Sequence, residues 1–541
     1  MQTTYALRIS LHTLSLGLAF FALNLSGAAP TITAVQNNYS YLIPGTPNYA
    51  IAPGALFILK GTGMAAAGTQ PQLWNLSQGP LPLTSPAANG TSVSVTVGTT
   101  NVNCGIYYVS PTQVAAVLPS TTPTGSATFT ITYNGQSGSI SNIPIGTSAM
   151  GLDTLYPIAV GEAVATDNTT GNLITYAASA SWNEVVVLWG SGLGGDTAND
   201  DRSYPAHQDN LSYLSALYVG GVQAQILYQG RSQYPGVDQV DIVIPTGVSG
   251  CFVGITAVSG SGAAQVVSST VTLPVEQNGG ACSDSNLSVT ATLFTMLENL
   301  PSVRTAVIQM NERLTATGAY AGPASANGTF FNGSAGQYGD GYGSASYGSC
   351  FVSEPITVPP GGFNGGSTYL NAGTLTVTGA SPSPFAVPAV QQGVYQGIFG
   401  ANYTFPSGQS FSASNGNGAA SVGGFSVTFP APSAPLVWTN PPATVTRSQG
   451  VTVNWTGGDP TADVEISGTY STATLTMFFN CYAPVSAHTF TVPSYITLSI
   501  PSGNGYLTLI QGTQPVLFSA TGLDYGYAFV SEMTQSAVAF Q

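Results

Sequence analysis

Four landmarks recur in the same order in two stretches of this chain, at offsets of 122 to 130 residues. Leu56-Phe57-Ile58-Leu59-Lys60-Gly61-Thr62-Gly63 matches Val185-Val186-Val187-Leu188-Trp189-Gly190-Ser191-Gly192, each an apolar run entering a Gly-x-Gly turn. Residues 93–98 then match residues 215–220, both ending in Val-Gly, and residues 113–119 match residues 239–245. The copies close on Ile143-Pro144-Ile145 and Leu273-Pro274-Val275. A nearly constant offset with small drift is what loop insertions leave in a duplicated unit. Each copy is built of short alternating strands divided by Gly, Pro, Asn and Ser turns. That pattern, at ~100 residues per unit, predicts an immunoglobulin-like sandwich. No helix follows the Gly-x-Gly turns, so they are tight strand-to-strand turns and not phosphate cradles.

The front of the chain reads as an export signal spanning residues 1–28. Arg8 is its only charge, an apolar run covers residues 14–23, and Ser26 and Ala28 stand at the −3 and −1 positions of a cleavage site. The run falls short of the ~20 apolar residues that cross a bilayer. No later stretch is long and apolar enough to span one, so the mature chain is expected to be secreted or at the cell surface. Seven basic residues stand against 21 acidic ones, a formal charge of −14, and Lys60 is the only lysine. Nucleic acid and anionic lipid are therefore excluded as partners, because both need clustered Lys and Arg. Five cysteines in an oxidising compartment should pair in part. Cys251 and Cys282 bracket the last strand of the second repeat and its exit. Cys350 and Cys481 are a second candidate pair, and Cys104 is then the odd, buried thiol. Sequence alone leaves this connectivity open.

The expected organisation is all-β. Two immunoglobulin-like repeats (29–150 and 151–278) precede a helical linker (279–301), a β-rich domain (302–434) and a C-terminal β-sandwich-like module (435–541). Leu293, Met296, Leu297 and Leu300 follow one helical face, which Pro301 ends. Ala306, Ile308 and Met310 alternate with polar residues, as in a half-buried strand. The Gly-, Ala-, Ser- and Tyr-rich residues 318–348 read as an irregular loop. Its Tyr338, Tyr342 and Tyr347 are candidate ligand contacts, a stacking platform for sugar. The run Pro430-Ala431-Pro432-Ser433-Ala434-Pro435 reads as a stiff joint. Beyond it, Trp455 alternates with polar residues and is expected in the core.

These elements together resemble a family of secreted acidobacterial proteins with paired immunoglobulin-like repeats related to the IPT/TIG group and a C-terminal all-β module. Ile51-Ala52-Pro53-Gly54, Gly61-Thr62-Gly63, Tyr108-Val109-Ser110-Pro111-Thr112-Gln113 and Gly190-Ser191-Gly192-Leu193-Gly194 carry the resemblance to the repeats. Residues 448–460, 490–495 and 522–527 carry the resemblance to the C-terminal module. The family brings no established activity and no catalytic residues. The wider group implies binding or spacing roles outside the cell.

No catalytic motif is present. After signal removal only His207 and His488 remain, and no Gly-x-Ser-x-Gly elbow exists. Scattered cysteines and few histidines argue against zinc. A loop inserted in the second repeat holds Asp196, Asp200, Asp201 and Asp209 beside His207. Calcium suits clustered oxygen ligands of this kind, but no fixed ligand spacing is met, and a solvated acidic loop is the plainer reading. No cofactor is otherwise expected. Paired carboxylates for glycoside hydrolysis are a matter of three-dimensional separation. The expectation is a non-catalytic interaction, adhesion or spacing protein whose partner is an extracellular protein or polysaccharide. A carbohydrate-binding array is the alternative, and a hydrolase of unfamiliar type a more distant one.

Overall fold

The structure, a computed structural model, describes residues 28–86, 90–155, 161–284, 289–290, 292–293, 296, 300–334, 344–353, 368–380, 382–400 and 403–541. Residues 1–27 of the expected export signal lie outside this set, as do Leu297, Tyr338 and Tyr342. The fold is all-β, and its first half is a pair of immunoglobulin-like sandwiches.

The first sandwich contains β1 (Thr31–Asn37), β2 (Leu56–Thr62), β3 (Thr91–Val97), β4 (Thr100–Asn103), β5 (Gly105–Val109), β6 (Gln113–Val117), β7 (Gly125–Tyr133) and β8 (Gln136–Ile145). The second repeats the series as β9 (Gly151–Leu152), β10 (Val185–Ser191), β11 (Leu214–Val219), β12 (Val222–Gln223), β13 (Gln225–Arg231), β14 (Asp238–Val243), β15 (Gly250–Ser259) and β16 (Val271–Glu276). One sheet of the first copy runs β1-β2-β6-β5, and its counterpart runs β9-β10-β14-β13. The other sheet runs β8-β7-β3-β4, against β16-β15-β11-β12. The sequence alignment of the copies is kept in the register: Lys60 faces Gln113 in one, and Trp189 faces Gln239 in the other.

The Gly-x-Gly turns have one physical reason in both copies. A Cβ on Gly61 would sit 1.8 Å from the Thr31 carbonyl oxygen, and one on Gly190 would sit 2.2 Å from that of Gly151. The first strand of each sandwich thus crosses where only hydrogen fits. The second glycine of each turn, Gly63 or Gly192, has positive φ. Between the sheets, alternate residues point inward: Val93, Val95 and Val97 of β3 meet Phe57 and Phe129, whose rings pack edge to face at 5.2 Å.

The second half departs from the expected division. Its strands include β17 (Ser302–Leu314), β18 (Tyr320–Ser334), β19 (Cys350–Val352), β20 (Val394–Ile398), β21 (Asp463–Ser471), β22 (Thr476–Pro484), β23 (Gly503–Gly512) and β24 (Tyr525–Phe540). They form one large sheet in the order β19-β22-β21-β23-β24-β17-β18-β20. This sheet runs across the expected boundary at 434/435. β17 lies parallel to β24, in register from Thr305 opposite Tyr525 to Leu314 opposite Thr534. Ala306, Ile308 and Met310 of the one share a core with Ala528 and Val530 of the other. The proline-rich run is docked and is no free joint: the Pro432 carbonyl accepts from the Gly408 amide and the Pro435 carbonyl from the Gly458 amide. Proline lacks a donor but keeps its acceptor, and composition does not report where that acceptor goes.

Two further expectations change. Much of the stretch read as an irregular loop, residues 320–334, is the long strand β18, held between β17 and β20. Its inward positions Ala324, Ala326 and Phe330 are buried, and pairing on both sides outweighs the weak strand preference of Gly, Ala and Ser. The linker carries helical residues at Thr292, Leu293 and Met296, with a short antiparallel pair, Ser283–Asp284 with Val289–Thr290, ahead of them. Leu293 and Leu300 pack on Val303, while Met296 is 43% exposed.

Candidate functional site

Residues 344–352 run as a strap between the second sandwich and the large sheet. The strand β15 bulges between Gly250 and Val253, which leaves backbone donors without ladder partners. The strap and its neighbour supply the acceptors. Ser346 Oγ accepts from the Phe252 amide at 2.9 Å, Ser349 Oγ from the Gly254 amide at 3.1 Å, and Asp284 Oδ2 from the Cys251 amide at 3.0 Å. On the strap's other side the Gly348 amide donates to the Tyr482 carbonyl, and the Tyr482 amide donates to that of Ser349. Cys350 and Cys481 are opposite one another in β19 and β22 and are disulfide-bonded. Cys251 is bonded to Cys282, which pins the bulge to the linker. Cys104 is a buried thiol, and burial pushes it well above the usual thiol range.

These elements enclose a cavity of about 290 Å3. Glu276 and Asp284 bring carboxylates to it, Ser249 and Ser283 bring hydroxyls, and Tyr347 brings its ring. The backbone at Gly247 and Gly250 completes the wall. Glu276 Oε1 accepts from the Ser283 amide at 2.7 Å, and Asp284 Oδ2 accepts from Ser346 Oγ at 2.5 Å. The Tyr347 hydroxyl donates to Asp463, whose two oxygens also accept from Gln514 Nε2. Burial, with the Asp284 charge second, raises the Asp463 carboxyl to about 8. The structure thus brings Cys251, Cys282, Tyr347, Cys350 and Cys481 into one neighbourhood. Glu276, Asp284 and Asp463 carry no sequence signal that would have placed them beside it, because they come from three separate parts of the chain.

The acidic loop is not the solvated face expected. It clasps the first sandwich. Asp201 accepts from the Ser120 amide at 2.7 Å and from Ser120 Oγ at 2.6 Å, and Ser120 Oγ in turn accepts from the Asp196 amide. Asp196 accepts from the Ala198 amide and Asn199 Nδ2, and Asp200 from the Arg202 amide and Ser203 Oγ. Arg202 Nε donates to the Leu81 carbonyl of the first sandwich at 2.6 Å. His207 is exposed, and its backbone is held by Asn199. Beside the loop, Asn37 Nδ2 donates across the seam to the carbonyls of Ala149 and Ser191. The buried ion pair Arg231–Asp238 lies against Gly54, and Arg231 also donates to the Gly194 carbonyl. Among the described residues, no three His, Cys, Asp or Glu side chains converge as metal ligands.

One carboxylate pair is close in space. Glu312 of β17 and Glu532 of β24 are directly opposite, and both are almost wholly buried, at 3% and 5% exposure. Glu312 accepts from the Phe405 amide, and Glu532 accepts from Gln511 Nε2 at 2.9 Å. Such burial leaves a substrate no approach. It raises both carboxyls, Glu532 to about 8 with the neighbouring Glu312 as the second cause. A group that holds its proton more tightly when folded stabilises the fold at low pH, and that stability is lost as pH rises through the folded value. Stability should therefore fall between about pH 5 and pH 9, by on the order of 2 kcal/mol for this pair. Glu532→Gln should flatten part of that slope, since Asp463 contributes with the same sign. Thermal unfolding across pH measures this, and an equally steep profile for the variant would refute it.

Trp455 is buried, as is Trp438 opposite it, and Trp455 Nε1 donates to the Val485 carbonyl at 2.8 Å. No ligand-stacking role remains for it. Among the described residues no helix is long and apolar enough to cross a membrane.

Residues 47–144 match the IPT/TIG domain family, within the first sandwich. Among solved structures the chain is similar to a tetra-tandem repeat from the extending region of a large adhesion protein. That likeness has 14% identity, covers 94% of this chain and 99% of the other, and has a TM-score of 0.14. It is similar also to immunoglobulin domains 1–4 of Sidekick-1, with 9% identity, 94% and 99% coverage and a TM-score of 0.12. A third likeness is to SGBP-B of a Bacteroides ovatus mixed-linkage glucan utilisation locus in complex with a mixed-linkage heptasaccharide. It has 10% identity, 74% and 87% coverage and a TM-score of 0.14. Scores this low carry no functional argument. No curated protein matches the chain.

Proposed function

We propose that this chain is an exported, non-catalytic interaction and spacing protein that holds its sandwiches in a fixed relation outside the cytoplasm. The strap carries this reading. It bonds through side chains and backbone to the second sandwich on one side and to the large sheet on the other. The clasp at Ser120 does the same between the first two sandwiches. Across the second junction, Tyr218 stacks on Tyr495 at 4.3 Å, and Ala216, Val258 and Val267 join the core around Trp455. Flexible arrays have few such contacts, so relative motion of their modules is the default. Two disulfides suit an oxidising compartment. The apolar leader and the resemblance to secreted acidobacterial proteins support export. Small-angle scattering on the mature protein tests the spacing role. One rigid shape should fit the data at low and high salt alike, and a need for a broad ensemble of bent and extended forms would count against it. The oxygen-lined cavity beside Tyr347 favours a second reading, carbohydrate binding, which pull-down on insoluble polysaccharides addresses.

A further inference from the structure

We propose that the cavity beneath the strap binds a primary ammonium group carried on a sugar ring, a hexosamine unit of a polysaccharide. This deepens the interaction role above and rests on it.

Two carboxylates, Glu276 and Asp284, and two hydroxyls, Ser249 and Ser283, face the space, and no Lys, Arg or His lines it. A wall this rich in acceptors calls for a ligand rich in donors. An ammonium group has three donors and no acceptor, so it complements the carboxylates in both charge and hydrogen bonding. A bare divalent cation is the poorer match, because among the described residues no three carboxylate, His or Cys groups converge on one point. The serine hydroxyls both donate and accept, which suits the hydroxyls of a sugar ring. The Tyr347 ring adds an apolar surface for the C–H face of such a ring. About 290 Å3 is at the small end of ligand sites, the scale of one pyranose and not of an oligosaccharide.

The walls are held in place before any ligand arrives. Cys251–Cys282 ties the bulge at Gly250 to Ser283 and Asp284, and Cys350–Cys481 anchors the strap that carries Tyr347. The Tyr347 hydroxyl is held by Asp463, which Gln514 holds in turn. A site built this way loses little entropy when it closes on a ligand. Asp463, its proton retained by burial and by the Asp284 charge, fits a pocket whose negative potential lacks a cation.

Isothermal titration of the oxidised full-length protein with a glucosamine hexamer tests the proposal. Three controls are the N-acetylated hexamer, a glucose hexamer and oligolysine. The glucosamine hexamer should bind, more weakly as salt rises, and the controls should not. Glu276→Gln should weaken binding about tenfold, the effect of losing a charged hydrogen-bond partner. Ser249→Trp, at an exposed position of the wall, should block the cavity without touching the core. Equal binding of the N-acetylated or glucose hexamer would remove the ammonium from the proposal, and equal binding of oligolysine would remove the sugar. Absence of binding, or binding indifferent to both variants, overturns it outright. Scattering that still fits one rigid shape would then leave the spacing role standing, so the two readings fail separately.

Discussion

Replacing Cys350 and Cys481 by serine lowers the unfolding free energy by about 5 kcal/mol, the larger of two disulfide effects. The bond closes a loop of 131 residues, against 31 for Cys251–Cys282. In the chain-entropy account the cost of removing a crosslink grows with the logarithm of the loop it closed, so the shorter loop is worth about 3–4 kcal/mol. The location adds to the contrast. Cys350 ends the strap, and β19 is a short strand at the rim of the large sheet, paired only with β22. Without the bond, the amides of Phe252 and Gly254 depend on serines of a segment that nothing covalent holds. Urea unfolding of C350S/C481S and C251S/C282S, each against the oxidised parent, measures the two effects. A larger cost for C251S/C282S, or none for C350S/C481S, would show that the long loop is already restrained in the unfolded chain.

Arg231→Ala costs about 3–5 kcal/mol, because it strands a charge that nothing else neutralises at that place. Arg231 and Asp238 are 3% and 0% exposed. Asp238 Oδ2 also accepts from the Leu193 amide at 2.7 Å, which orients the carboxylate but does not cancel it. The guanidinium fills the space over Gly54, so truncation also leaves a hole at the seam between the sandwiches. The double variant Arg231→Met, Asp238→Leu should recover most of the loss, since two apolar groups of similar volume carry no desolvation cost. Thermal unfolding of the single and double variants decides this. A single variant as stable as the parent, or a double variant no better than the single, would refute the account.

Much of the first half was legible before any coordinates. Leu56–Thr62 and Val185–Ser191 share apolar strand patterns and a Gly-x-Gly exit, and both become equivalent strands in equivalent sheets. Alternation put Ala306, Ile308, Met310 and Trp455 inside, where they are. Such patterns are local: period two decides which face of a strand is buried, and a glycine marks where a Cβ cannot stand. The candidate site was legible only in part. Its cysteines and Tyr347 stood out by residue type, while Glu276, Asp284 and Asp463 looked like any other surface acids. The aspartates of the inserted loop looked solvated because nothing near them in sequence names Ser120 as their partner.

The amino-acid sequence by itself determined the all-β class, the duplicated sandwich and the inward faces of its strands, because each of these depends on periods and turns a few residues long. Tertiary structure alone decided that residues 302–314 would lie alongside residues 525–534 across the proline-rich run, and that a strap would stitch the second sandwich to the large sheet. It alone placed two carboxylates from the linker region around an empty space with a tyrosine from the strap. Strand edges carry the same N–H and C=O groups whatever their side chains, so the choice among distant edges is made by which pairing buries the most apolar surface and satisfies the most backbone groups at once, a property of the whole chain.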